Sequence, residues 1–313
     1  QSGNNGGLTW ADAGVTSDSD NNTVAGTSAG DSITSGIRNT MFGKDAGTAV
    51  TSGDRGTFLG WQAGLQTSTA DYNTFVGANC ASSNTTGQDN TAIGDSALGT
   101  NTTGAGSVAV GKNALLANTT ASDNVAVGAI AMAANTTGDR NTAVGNYALD
   151  ANTTGVYNTV FVGYYAGASN TADNNVGIGY NALNANTSGG SNVGIGKDAL
   201  KVNTTAAYNT AIGNQALDAN TTGAQNTALG HSSLGNNVTG SYNTSVGVNT
   251  LGDNTASYNT AVGHSALTAN TSGEKNTAVG TYTLDANTTA SNNTALGYAA
   301  LSSNTTGASN TAV

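Results

Sequence analysis

The sequence predicts an all-β protein, a parallel β-solenoid (β-roll) of about seventeen 17-residue coils. Three observations carry that expectation. A glycine closes an "NTAVG"-like pentapeptide at Gly26, Gly43, Gly60 and onward to Gly297, and thirteen of the sixteen intervals between these glycines are 17 residues. An asparagine stands seven residues after the glycine in fourteen consecutive units, from Asn84 to Asn304. No stretch keeps apolar residues at helical spacing over helical length.

Each part of the unit has a local reading. Before the coil glycine sits a β-branched or aliphatic residue, such as Ile93, Val144 or Val262, preceded by a small one, usually alanine. This pattern reads as a short strand ending in a bend. Three and four residues after the glycine come Ala and Leu, as in Ala148–Leu149 and Ala216–Leu217, which read as a second short strand. The coil asparagine then opens "NTTG" or a close variant, a composition that marks turns. Val144, Val262 and Leu149 are expected to face buried space. Consecutive strand residues point to opposite faces, so the adjacent Ala and Val/Leu predict two apolar surfaces. One coil offers little core for the residues it must order. A homotrimer that buries the second surface is therefore expected.

Parallel stacking at the ~4.8 Å strand spacing sets like residues above one another. Asn101, Asn118, Asn135, Asn152 and Asn170 then form a structural ladder, since each side-chain amide both donates and accepts. Seventeen coils at that rise predict a rod of roughly 80 Å. The interval is 18 and then 16 residues around Gly163, and 16 before Gly263. An extra residue near Phe161 is thus offset by one lost between Asn170 and Gly179. Residues 1–21 precede the repeat and read as a lead-in or cap, with the repeat solenoid at 22–313. The chain stops at "NTAV", inside a unit, which reads as a fragment of a longer array. No charged-then-apolar leader follows Gln1, so a signal peptide is expected to be absent or already removed.

Composition narrows the function. Eighteen acids against eight bases give a net charge of −10 with no basic patch, which disfavours nucleic acid and an anionic bilayer surface. No apolar run is long enough to span a membrane, so no membrane insertion is expected in this segment. Cys80 is the single cysteine, so no intrachain disulfide forms. His231 and His264 both follow a coil glycine two units apart, roughly 10 Å along the stack and too far to share a metal ion. Asp residues are scattered, and no Ser or Thr has a His/Asp partner arrangement. No catalytic residue, metal or cofactor is expected, and the chain reads as no enzyme. The "NTT" and "NTS" sequons follow from a stacked Asn–Thr column, so they read as structural rather than glycosylated.

The columns that change from coil to coil are the candidate contact surface. The two positions after the coil glycine hold Trp61, Tyr147, Tyr164, Tyr165, Tyr180 and Tyr298. Tyr72, Tyr208, Tyr242 and Tyr258 recur just before an asparagine. Exposed tyrosine stacks on sugars or adds contact area to a protein partner. The regular Thr102, Thr119, Thr136 and Thr153 column motivates an alternative, a Thr-rich ice-binding solenoid.

"GSVAVG" (residues 106–111), "NVAVG" (124–128) and "NVGIG" (175–179) resemble the head repeats of YadA-type trimeric autotransporter adhesins. "SAGDSITSG" and "FLGWQAG" also look like repeats in phage tail fibres, which often carry an endosialidase-type chaperone domain not found in this segment. The likeness covers about residues 22–313. It implies a parallel β-roll of three chains, extracellular, on a bacterial surface or a virion. It further implies attachment to a host-surface glycan or protein receptor. The 17-residue unit is longer than is typical of the adhesin heads, with "NTTG" enlarging one turn.

Overall fold

The computed structural model describes residues 15–155, 157 and 160–313. The chain divides into two compact units, Gln1–Asn146 and Tyr147–Val313. Both are all-β, and no helix occurs among the described residues. The fold is a parallel β-solenoid of about seventeen coils.

The strands are short and in strict register. In the first unit the coil strands run from Thr23–Ala25 to Thr142–Val144, and in the second from Val160–Val162 to Thr294–Leu296, followed by Thr311–Ala312. Within each unit every strand pairs in parallel with the equivalent residues of the next. Thr210 faces Thr227, Ala211 faces Ala228 and Ile212 faces Leu229. One antiparallel pair opens the first unit, where Val15–Ser17 lies along Thr23–Ala25 and covers that strand's edge. The turn between them closes on Asp18, whose carboxylate accepts the Asp20 and Asn22 backbone N–H groups and the Asn22 amide. Of the expected lead-in at 1–21, residues 1–14 lie outside the described residues.

Two expectations about the coil need correction. Ala148–Leu149 and its equivalents are not a second strand; the stretch after the coil glycine is a run of turns. Leu149 sits at φ +53° and Leu217 at +50°, in the left-handed region. That twist breaks strand alternation, so the adjacent Ala148 and Leu149 both point into one core and both are buried. The expected two faces therefore do not come from the Ala–Leu pair; within the strand the Ala–Val pair does split, with Ala143 buried and Val144 half-buried. The residue before the coil glycine faces out instead. Val262 is 36% exposed and Val144 half-buried, because only the middle residue of a three-residue strand can point inward. Leu149 is the one residue of the expected trio in the core.

Core volume is conserved coil by coil. The mid-strand residue and the one four after the glycine trade size. Ala92, Ala109 and Ala211 accompany Leu98, Leu115 and Leu217, whereas Phe58 and Phe161 accompany Gly64 and Gly167. A Cβ on Gly64 would stand 2.8 Å from the Phe58 ring, and one on Gly167 would stand 2.3 Å from the Phe161 ring. One large side chain fills each layer, and a second has no room. Ala211→Phe is accordingly expected to destabilise the protein by about 1–3 kcal/mol. Adding Leu217→Gly should restore most of that loss, a rescue read from thermal or urea denaturation of both variants.

Cys80 occupies a core alanine column with its thiol against the Ala92 carbonyl at 3.2 Å. Burial pushes its pKa up to about 12. At pH 8 a group with that pKa is thiolate in roughly one molecule in ten thousand. Native protein is expected to resist alkylation by iodoacetamide, and denatured protein to react fully, as mass spectrometry would show. Rapid native labelling would contradict this packing.

Candidate functional site

The asparagines fix the coil before any surface chemistry is possible. In the first unit the Asn101 amide donates to Asn84 Oδ1 at 2.7 Å, Asn118 to Asn101 at 2.8 Å and Asn135 to Asn118 at 3.1 Å. Each also closes its own turn on the carbonyl three residues on, as Asn101 does on Gly104 at 2.9 Å and Asn135 on Gly138 at 3.0 Å. In the second unit Asn152 exchanges two bonds with Gly155, and Asn186 donates to Asn170. The five expected ladder residues, Asn101, Asn118, Asn135, Asn152 and Asn170, are buried, and their amides are engaged by protein.

A second buried ladder runs through the coils, one that the spacing of the coil asparagine does not reveal. Four residues before the coil glycine stands another asparagine, at Asn22, Asn39, Asn73 and Asn90 and at Asn192, Asn209, Asn226 and Asn243, among others. Its Oδ1 accepts the backbone N–H of the asparagine in the next coil, as Asn209 Oδ1 does from Asn226 at 2.9 Å. Its Nδ2 reaches the carbonyl fourteen residues on, as Asn209 does to Gly223 at 3.0 Å. That same Gly223 carbonyl accepts from Asn220 of the first ladder. The two columns thus meet at one carbonyl per coil. The signal is in the sequence, since this asparagine is the first letter of "NTAVG".

The shortened coils show where the lost residues went. Asn170 to Asn175 and Asn254 to Asn259 are five residues apart, where Asn84 to Asn90 is six. The deletion lies in the turn between the two ladders. There the amides bond each other directly, Asn175 to Asn170 at 3.0 Å and Asn259 to Asn254 at 3.2 Å. Asn254 turns to the Ala256 carbonyl, and the preceding Asn237 Oδ1 is left buried with no hydrogen-bond partner. The extra residue expected near Phe161 precedes the strand Val160–Val162, which keeps register with Val176–Ile178. It falls in a stretch whose residues 156, 158 and 159 lie outside the described residues.

The proposed contact tyrosines come together on the second unit. Tyr147 stacks on Tyr165 at 4.8 Å between ring centroids, Tyr164 meets Tyr165 edge-on at 4.4 Å, and Tyr164 lies parallel to Tyr180 at 5.9 Å. The hydrogen bond with Tyr164 holds the Tyr165 phenol above its ordinary pKa. Three coils thereby build one aromatic surface from residues that sequence places in neighbouring columns. Tyr298 belongs to a separate edge-on row with Tyr282 and His264. Tyr242 and Tyr258 stack at 5.0 Å. Trp61 is exposed on the first unit.

Among the described residues, no group of three His, Cys, Asp or Glu side chains is placed to hold a metal ion. No helix among the described residues is long and apolar enough to cross a membrane. The Thr102 and Thr119 hydroxyls donate to the backbone carbonyls of Thr119 and Thr136, so this column is tied into the turn rather than presented as a free hydroxyl face. Comparison with protein-family models and with curated protein sequences returns no match.

Proposed function

We propose that the chain is a stretch of a non-catalytic trimeric fibre that projects from a bacterial cell or a virion and mediates attachment to a host-surface glycan or protein. The observation that carries this reading is the outer face of the strands. In the second unit Val162, Ile178, Ile195, Ile212, Leu229, Val246, Val262, Val279 and Leu296 stand in register, one per coil. At the strand spacing this rank is about 38 Å long. Leu229 and Leu296 are 45% and 48% exposed. A continuous apolar rank of that length marks a protein contact, and three copies around an axis would cover it on every chain. Repetition then supports function directly, because many weak contacts on one stiff body gain avidity.

Native mass spectrometry is expected to give three chains. The double variant Ile212→Glu and Leu229→Glu should return single chains, because two carboxylates per chain cannot be buried unpaired at such a contact. A wild-type chain that stays single at micromolar concentration would overturn the fibre reading. One observation keeps a second reading open. Thr210, Thr227, Thr244, Thr260, Thr277 and Thr294 form a regular rank on the same strand face. Left uncovered, that rank would suit an ice surface, and thermal hysteresis in the single-chain state would favour it.

A further inference from the structure

We propose that the second unit carries a groove for a neutral, hydroxyl-rich glycan, on the side of the coils that follows the coil glycine. The inference rests on the attachment reading but not on its trimer. Five residues after the coil glycine most coils carry a side chain, as at Asp150, Asn184, Lys201, Asp218, Thr268 and Asp285. At two successive coils that position is Gly235 and Gly252. Their loss opens a trough of about 370 Å³ between Asp218 and Thr268.

The backbone does not require glycine at either place. Neither residue has a positive φ. A Cβ would come no nearer than 3.4 Å to any neighbour at either Gly235 or Gly252, which is ordinary contact. The missing side chains therefore serve the space, not the fold. Three coil steps from Asp218 to Thr268 make the trough about 14 Å long, room for a short oligosaccharide.

Its chemistry selects the occupant. Asn236 donates to Asp253 at 2.9 Å along one wall, and amides and hydroxyls from the second position after each coil glycine line the other. Side-by-side donors and acceptors match the vicinal hydroxyls of a sugar. Asp218 and Asp253 give the trough negative charge. Lys197 and Lys201 lie 3.9 and 3.6 Å from Asp198, and Lys201 also acts on the Asp218 carboxylate, so two lysines stand against three carboxylates, Asp198, Asp218 and Asp253. An anionic glycan would be repelled. Along the same edge, Tyr164 and Tyr180 stand on one side and the His264, Tyr282 and Tyr298 row on the other. Sugar rings passing out of the trough in either direction would meet aromatic faces.

The test is an array of linear oligosaccharides, one set neutral (glucose, galactose and N-acetylglucosamine polymers) and one anionic (sialylated, sulfated and uronate-containing). The full chain is expected to retain members of the neutral set only. Gly235→Leu with Gly252→Leu fills the trough with a residue that the same column already carries at Leu116. It should keep the wild-type melting temperature and bind about tenfold more weakly or worse. Asp218→Ala, which widens the trough, should also weaken binding. Absence of any neutral ligand, preference for the anionic set, or binding untouched by both variants would overturn the proposal. Native mass separates this outcome from the fibre reading: a trimer that ignores sugars removes the groove alone, and a single chain that binds them removes the trimer alone.

Discussion

Gly213→Ala is expected to cost at least about 3 kcal/mol, from one added methyl group. Two independent effects act there. Gly213 has φ +142°, a conformation that side chains rarely adopt. The added Cβ would also stand 2.4 Å from the Gly230 carbonyl oxygen, and both glycines directly follow strands fixed by parallel pairing. Neither strain is relieved by rotating a side chain, so the coils must part. Gly235→Ala is the control, since its φ is not positive and its new contacts are ordinary. It should stay within about 0.5 kcal/mol of wild type. Urea denaturation followed by circular dichroism measures both. Because each coil leans only on its neighbours, limited proteolysis of Gly213→Ala should cut near that coil first. Equal stability of the two variants would show that the glycine column is not what sets coil spacing.

The second large effect is expected at Asn209, in the ladder four residues before the coil glycine. Asn209→Ala removes the acceptor for the Asn226 N–H and one of two donors to the Gly223 carbonyl. The Asn226 N–H is then buried without a partner, at about 1–3 kcal/mol, and the cavity left by the amide adds to it. A total loss of about 2–4 kcal/mol follows. Asn209→Asp should be no better at neutral pH, because it keeps the acceptor but places a charge at a fully buried site facing the Gly223 carbonyl. Thermal melts of the two variants at pH 4 and pH 7 separate these causes. The Asp variant should recover stability as acid neutralises it, and the Ala variant should show no such gain. If both melt within a degree of wild type, the second ladder is incidental.

Sequence by itself determined the repeat and what it stacks. A 17-residue ruler set by glycine, an asparagine at a fixed distance from it and the absence of helical spacing were enough for a parallel solenoid. They also placed one deletion between Asn170 and Gly179, inside the turn where Asn170 and Asn175 now bond. Stacking needs only equal spacing, and equal spacing is written in the chain. Which way each residue points is a different matter. It depends on the backbone angles between the fixed points, and strand alternation was the wrong rule for the stretch after the glycine. Left-handed residues such as Leu149 and Leu217 turn two neighbours inward together. The Val and Ile rank lies outside because alternation does hold within the three-residue strand, whose middle residue takes the inward place. The tyrosines follow the same logic. Tyr147 and Tyr165 share a column one coil apart, so their stacking was implicit in the period. Tyr164 meets Tyr165 edge-on through the local turn, and the trough at Gly235 and Gly252 exists because two side chains are missing from one face. Period fixes neighbours along the stack, whereas only the folded backbone decides which of them see solvent.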